Sequence, residues 1–347
     1  MREVADAVGV SISSVSNAFN RPDQLSDKLR ERILAEAARR GLRRPDPAAR
    51  SLRHGRPLAL GVIYTDRLSF AFSDPAAVLF LQGVSEECEQ AGLELVLIPD
   101  TVAADVAQTA VGRSMVDGLI VYSVSDDDPV LREARGRVPM VVVDQPTTIP
   151  DAPWVGIDEA AAAHDVARHL VDLGHRRFAV ITSEIDRSRC GGPVDRDRQA
   201  RTTYASTAAR LNGYRQAITA AGLDWDDVVV VEAVENSEEH GRRATKTVLD
   251  RHHVTAVLGM TDLLAIGAIA AIQDRGRDVP GDVAVAGFDD IPTAARHQPT
   301  LTTVGQPHRE KGRAAAAGLL ALIGGDGDAP EPKILPHTLH RRGSTHR

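Results

Sequence analysis

Cysteine is nearly absent: Cys88 and Cys190 are the two in a chain of 347 residues. Two thiols make neither a disulfide framework nor a metal-ligand spacing. Both read as free thiols in a reducing compartment, one in a core and one in a loop. Aromatic residues make up 3%, so Val, Leu, Ile and Ala must build the core. No run of about 18 apolar residues occurs, which argues against a membrane-spanning helix. The N-terminus lacks the apolar h-region of a signal peptide, and the cytoplasm is the expected location. Catalytic signatures are missing too: there is no GxGxxG, P-loop, GxSxG or HExxH. His252-His253 and the pair His337/His340 stand without the companions a zinc site needs. Gly324-Gly325-Asp326-Gly327 follows a helical pattern, not a strand, and reads as a loop. No enzyme activity, cofactor or metal is expected.

What remains is long enough for two or three domains. The net charge of −7 hides a split: residues 1–57 hold 12 basic and 7 acidic side chains, the remainder 29 and 41. A basic head (+5) on an acidic body (−12) suits a DNA-binding module joined to something that should stay off DNA.

The head opens with Val4–Asn20, VADAVGVSISSVSNAFN. It reads as two short helices around a turn. Ala5 is small where helices cross, and Gly9 sits where the turn needs freedom from a Cβ clash. Val4, Val8, Val10 and Val15 are spaced to share one core. Ser11 suits the N-cap of a helix beginning at Ile12, which leaves Ser13, Ser14, Ser16 and Asn17 outward. This is a helix-turn-helix layout, whose second helix enters the major groove. A third helix begins at Leu25-Ser26-Asp27, with Ser26 as cap. Leu29, Ile33, Ala37 and Ala38 form its buried stripe, and Gly41 stands at its C-terminal end. Next comes Arg44–Pro57. Asp46 and Pro47 fit N-cap and N1, and Ala48, Ala49 and Leu52 line one side of a helix too short to be stable alone.

The run VADAVGVS…SSVSNAFN, then LSDKLRERIL, PDPAARSLRHGRP and LGVIY resembles the lactose-repressor/galactose-repressor (LacI/GalR) family of bacterial transcription regulators, in the family's order and spacing. In that family the hinge helices of a dimer dock in the minor groove and a leucine wedges a base step open. Leu52 matches that position, with Ala49 beside it. The resemblance implies that Ile12, Ser13 and Asn17 face base edges and that Ser11, Ser16, Asn20 and Ser26 contact phosphates. Two departures stand out. Family members usually carry a Thr N-cap before the equivalent of Arg2-Glu3-Val4-Ala5, whereas this chain starts at Met1 within that position; the first helix lacks the cap or the true start lies upstream. Asn17 stands where Arg is common, which implies a different operator preference.

From Leu58 onward, apolar runs alternate with helical patterns: 58–64, 93–98, 118–124, 139–144, 177–182, 228–234, 255–260 and 283–288. Such strands belong to parallel sheets covered on both faces. They suggest two α/β lobes, about 58–157 plus 290–320 and about 158–289 plus 321–340. The expected fold is thus a small all-α helix-turn-helix head (1–44), a hinge helix and linker (45–57), and a two-lobed α/β periplasmic-binding-protein-like body (58–347) with parallel sheets. Val155–Asp158, Leu173–Arg177, Arg210–Tyr214, Val285–Pro292 and Leu301–Pro307 resemble the family as well. The tail from Leu335 has no leucine heptads, so a dimer without a coiled coil is expected.

Ligands of open α/β sheets sit beyond the carboxyl ends of strands. Thr65 and Ser69 follow the first strand, Tyr122 ends the third, Thr261 and Asp262 follow 255–260, and Asp289 follows 283–288. Arg210 opens the helix after a long loop. These seven are the candidate effector contacts. Asp262 and Asp289 also suit capping of the next helix. In the family, Arg210, Thr261 and Asp289 match effector-contacting positions, though Thr261 stands where Asn is usual. The segment 183–207 is long and charged, suiting either a lid over the cleft or, as its composition favours, a solvated mobile loop. Asp126-Asp127-Asp128-Pro129 reads as a plain helix-start loop.

The resulting expectation is a DNA-binding regulator, a repressor, controlled by a sugar-like or nucleoside-like metabolite between the lobes. The alternatives are a corepressor-dependent regulator and a small-molecule-binding protein with no DNA role.

Overall fold

Gly9 adopts a left-handed conformation, φ +74°, and both its amide and that of Val10 return to the carbonyl of Ala5 at 2.9 Å. That turn ends α1 (Arg2–Val8) and starts α2 (Ile12–Asn20); α3 (Asp27–Arg39) closes the head. Val4, Ala5, Val15, Ala18, Ile33 and Ala37 are buried together, with Val8, Val10, Leu25 and Leu29 packed around them. The expected apolar spacing therefore does build one small core. Ser11 Oγ accepts from Ser14 N at 3.0 Å, so it caps α2 as expected.

The computed structural model describes residues 2–20, 25–40, 59–64, 68–99, 116–129, 131, 138–144, 152–324 and 331–346. The hinge region 45–57, with Ala49 and Leu52, lies outside them, as do Gly41, Thr65 and the side chains of Ser16, Asn20 and Ala38. Residues 1–56 and 57–347 are two compact units.

The body contains two sheets. The first joins β1 (Ala59–Tyr64), β2 (Glu94–Pro99), β3 (Gly118–Tyr122), β4 (Met140–Val143), β5 (Trp154–Ile157) and β12 (Lys333–Leu335), in the order β12-β5-β4-β3-β1-β2. All its pairings are parallel. The second joins β6 (Phe178–Thr182), β7 (Gly192–Pro193), β8 (Val229–Glu232), β9 (Ala256–Gly259), β10 (Ala284–Asp289), β11 (Thr302–Gly305) and β13 (Thr338–His340), in the order β13-β11-β10-β9-β6-β8-β7. It is parallel except at its edges, where β13 and β7 run antiparallel to their neighbours. Fully buried runs such as β1, β4 and β10 follow from helices on both faces.

Helices α4 (Pro75–Ala91) and α10 (His308–Gly324) pack together on the first sheet. In the second lobe, α5 (Glu159–Asp172) packs on α7 (Ala205–Ala220), and α8 (Glu238–Arg251) on α9 (Asp262–Gln273). A Cβ on Gly213 of α7 would collide with the carbonyl of Ala160. Glycine there lets α7 approach α5 closely enough for side chains one turn earlier to meet.

The lobe boundaries differ from expectation. The expected boundaries put β11 in the first lobe, but it extends the second sheet through β10. They put β12 in the second, but it pairs with β5 in the first. The chain therefore crosses after Gly305 and again between Leu335 and Thr338, not near 290 and 320. Such strands are too short, three or four residues each, to show an apolar run of their own.

Candidate functional site

On the head, Ser11 and Ser13 are exposed, and Ile12 is exposed at 47% despite its large apolar side chain. Ser13 and Ser14 hydroxyls lie 2.7 and 2.9 Å from that of Ser11. Asn17 is half-buried on the same helix. Ser26 is exposed, and its carbonyl accepts from Leu29 and Arg30 at 3.0 Å, which starts α3. The start of α2 therefore presents short hydroxyls around one uncovered apolar side chain, a surface able to take hydrogen bonds and a methyl contact.

In the body, the carboxyl ends of both sheets face one polar cavity of about 100 Å³. Arg210 anchors it. The side chain does not open a helix, as expected, but sits inside α7, which begins at Ala205. Its Nε donates to Glu159 Oε2 at 2.7 Å and its Nη1 to the carbonyl of Met260 at 2.6 Å, and its guanidinium lies 3.8 Å from the centre of the Phe288 ring. Burial disfavours its charge, but Glu159 and Asp289 outweigh that and raise its pKa.

Asp289 ends β10 with φ +120° and accepts from Gln306 Nε2 at 2.8 Å. Burial pushes its carboxyl well above the usual range, against the opposing pull of Arg210. Thr261 caps α9, accepting from Leu264 N at 3.2 Å, and donates to Asn236 Oδ1 at 2.5 Å. Asn236 itself lines the cavity, so an amide is present although Asn is missing at 261. Tyr122 stacks on Tyr64 with centroids 5.3 Å apart and planes 8° apart, and both line the cavity.

Two expected contacts fall elsewhere. Ser69 is exposed at the start of a short 3-10 turn; its neighbour Phe70 lines the cavity. Asp262 is wholly buried in the fold: its Oδ2 accepts from Ile291 N at 2.9 Å and its Oδ1 from the Thr303 hydroxyl at 2.5 Å. Thr261 took the cap position, and Asp262 ties α9 to the start of the 291–294 turn and to β11.

Several lining residues were not anticipated. Asp74 caps α4, accepting from Ala76 N at 3.1 Å, and burial raises its pKa to about 6. The dipeptide Asp74-Pro75 carries the N-cap/N1 signature that would have found it. Behind the lining, Lys311 is completely buried, donating to the lining residues Asp144, at Oδ1 and 2.7 Å, and Gln306. His308 is buried, with its Nε2 3.7 Å from Asp289 Oδ1, longer than a hydrogen bond. Its pKa falls well below the usual value through burial and the nearby Lys311 and Arg210, opposed by the Asp289 backbone.

The 183–207 segment is an ordered part of the second lobe, which corrects the expectation of a mobile loop. It contains β7 and α6 (Arg196–Ala200). Buried Glu232 gathers it, accepting from Ile185 N at 2.9 Å, Gly191 N at 2.8 Å and Arg198 Nη2 at 2.5 Å. The segment also reaches the first lobe. Thr203 O accepts from Asp126 N at 2.7 Å, its hydroxyl accepts from Ser125 Oγ at 2.8 Å, and Arg187 pairs with Asp128 at 3.2 Å. The acidic stretch 126–128 is thus an interlobe contact as well as a loop. Ser183, Glu184, Tyr204, Ser206 and Thr207 contribute to the cavity lining.

Among the described residues, no group of three or more His, Cys, Asp or Glu is placed to hold a metal ion. No helix among them is long and apolar enough to cross a membrane.

The model of the periplasmic binding protein-like domain matches residues 167–345. An HTH-type transcriptional regulator of Mycobacterium tuberculosis is 41% identical over 324 residues, 92% of this chain and 90% of that protein. A LacI-family transcriptional regulator of Corynebacterium glutamicum superposes with a TM-score of 0.78 at 33% identity, covering 99% of this chain and 98% of that one. The regulator CelR, solved as a cellobiose complex, superposes with a TM-score of 0.72 at 27% identity over 98% of each chain. These relatives are transcriptional regulators, not enzymes.

Proposed function

From the premise that this chain belongs to the LacI family of helix-turn-helix transcriptional regulators, we propose that it is a cytoplasmic, dimeric repressor whose operator affinity is set by a small metabolite held between the two lobes. Two heads read a pseudo-palindrome. Ile12, Ser13 and Asn17 meet base edges, and Ser11, Ser16, Asn20 and Ser26 meet phosphates. Ala49 and Leu52 of the two hinges enter the minor groove and open a central step. The hinge helix is marginal without DNA, so it is the element that two body conformations can bias.

In the body, Arg210, Thr261, Asp289 and Tyr122 hold the metabolite, with Thr65, next in sequence after β1, contributing as well. The single observation that supports this most is the cavity itself. It is polar, lined from both lobes, and centred on a buried guanidinium. A ligand there touches both lobes at once and so favours one lobe angle. Coupling of about 1–3 kcal/mol, about 5–150-fold in operator affinity, is the usual range for such linkage.

The test is selection of genomic fragments by the full chain in moderate salt, followed by sequencing. A recovered palindrome with a flexible pyrimidine–purine centre is expected. Absence of enrichment over random DNA, with the head shown to be folded, counts against the reading.

A further inference from the structure

A second cavity, of about 190 Å³, lies where the chain passes from β5 into α5. It shares Asp144 and Ser206 with the cavity around Arg210, but Arg210, Tyr122, Thr261 and Asp289 do not line it. Its room comes from small residues. Gly156 of β5 pairs in register with Ile334 of β12, and a Cβ on Gly156 would crowd Asp144 Oδ1 and the Trp154 ring. Trp154 and Ile334 therefore share one face of the sheet beside a position without a side chain. Ala160 of α5 and Ala205 and Ala209 of α7 form equally short parts of the lining. The charged groups of this lining are all of one sign: Asp144, Asp158 and Glu159, with no Lys or Arg. Lys311 pairs with Asp144 at 2.7 Å and Arg210 with Glu159 at 2.7 Å, which leaves one negative charge in surplus. Glu159 is 6% exposed. Its Oε2 accepts from Arg210, whereas its Oε1 accepts no hydrogen bond and lies 4.0 Å from Lys311 Nζ. A buried carboxylate oxygen without a donor carries a desolvation cost that a ligand's donor would offset.

We propose that this pocket is a second ligand site, which takes a primary ammonium carried on a single apolar ring, and that its occupant biases the angle between the lobes. A void of about 150 Å³ accepts benzene, so one of about 190 Å³ holds a ring and a short arm. The ring packs among Trp154, Ile334 and the alanines. The ammonium donates to Glu159 and balances the surplus charge, and an indole is the best aromatic partner for a cation. An anionic ligand meets three carboxylates and no lining cation, in a site where repulsion is poorly screened. Trp154 and Ile334 belong to the first lobe, Ala205 and Ala209 to the second. An occupant thus touches both lobes beside a crossing. The site itself stands on this cavity; its effect on operator affinity rests on the regulator reading.

Calorimetry and thermal unfolding of the full chain with benzylamine, benzyl alcohol and benzoate test the site. Benzylamine should bind saturably and raise the melting temperature. Benzyl alcohol, alike in size but uncharged, should bind about tenfold or more weakly, and benzoate should not bind. Ala209→Leu fills the void with a good helix former and should abolish benzylamine binding. Ile334→Ala trims a residue that is 61% exposed, so ligand-free melting stays near that of the wild type while affinity falls about fivefold. Asp289→Asn, altered in the other cavity, should bind benzylamine as the wild type does. Loss of binding in Asp289→Asn with retention in Ala209→Leu and Ile334→Ala puts the amine in the other cavity and overturns the site. Absence of saturable benzylamine binding overturns it too and leaves the effector reading standing. Benzyl alcohol or benzoate binding as tightly as benzylamine overturns the selection by charge. Saturating benzylamine should shift operator affinity about fivefold or more; an unchanged operator affinity overturns the effect on the lobes. Failure to find any operator removes the regulator reading, while the calorimetry still decides the site.

Discussion

Two aspartates that follow neighbouring strands have opposite fates. Asp289 opens to the cavity, whereas Asp262 is sealed with a backbone amide and a hydroxyl. Burial raises the Asp262 pKa from 3.8 to about 7, with Thr303 and Ile291 opposing. A carboxyl whose folded pKa lies above its unfolded value binds more protons folded than unfolded, so stability falls as pH rises between the two. Asp262→Asn removes that dependence while its amide still serves Thr303 and its oxygen Ile291. The melting temperature of the wild type, relative to Asp262→Asn, should drop steadily from about pH 4 to pH 7 and level off above. A flat difference across that range contradicts the assignment. The sequence alone could not separate these two aspartates, because both obey the strand-end rule. What separates them is whether the next helix takes its cap from the preceding residue. Thr261 supplies that cap, and a Thr-Asp pair read as cap plus N1 would have demoted Asp262. Arg210, Thr261 and Asp289 were legible through resemblance and strand ends. Asp74 and His308 are not legible in the same way, since each stands at the start of a helix and reads as ordinary punctuation.

At the scale of elements, the head is three short helices around a handful of buried side chains. Ile33 is at its centre and fully buried. Ile33→Ala removes three methyl-type groups from a core with little else, and such truncations cost about 2–5 kcal/mol. The head should then unfold in a separate, earlier transition, with operator binding lost and the body's melting unchanged. Coincident loss of both transitions would show that the head does not unfold on its own. The 183–207 segment is the element least legible in advance. Its charge suggests solvation, but its charges are paired: Arg198 with Asp186 and Arg189 with Glu184 inside the segment, and Arg198 with Glu232 and Arg196 with Asp226 beyond it. Pairing partners 30 or more residues away are invisible to local composition. The Arg187–Asp128 pair spans the lobes with Asp128 buried and Arg187 one-quarter exposed. Arg187→Ala should favour an open cleft. Partial hydration limits the effect to about 1 kcal/mol, about fivefold weaker effector binding. Raised salt should reproduce part of that loss in the wild type and none in the variant. Equal affinities for wild type and variant would show that the segment lines the cavity without holding it shut.

At the scale of the whole molecule, the chain crosses between sheets at residues 158, 306–307 and 336–337. Three strands of backbone with small cross-section permit the lobes to change angle without either sheet being rebuilt. The charge split works with this design. Head and hinge together carry +5 and the body −12, so attraction to phosphate is concentrated in residues 1–57, and the body adds repulsion that salt screens. Non-specific affinity should therefore be modest and fall steeply with salt, following the number of phosphates that the head neutralises. Specific affinity has a different origin. Leu52 is uncharged, so its proposed role in the minor groove adds nothing to that electrostatic attraction; it acts by making a bent duplex accessible. Leu52→Ala should leave binding to random DNA unchanged at every salt concentration. Its preference for the operator should collapse toward the non-specific level, a loss of about 10³-fold or more. Titrating both DNAs from low to moderate salt separates the two contributions. If operator affinity is retained, the wedge is wrong. If random-DNA affinity falls in parallel, Leu52 acts through the fold of the hinge and not at the base step, because only structural loss lowers both curves together.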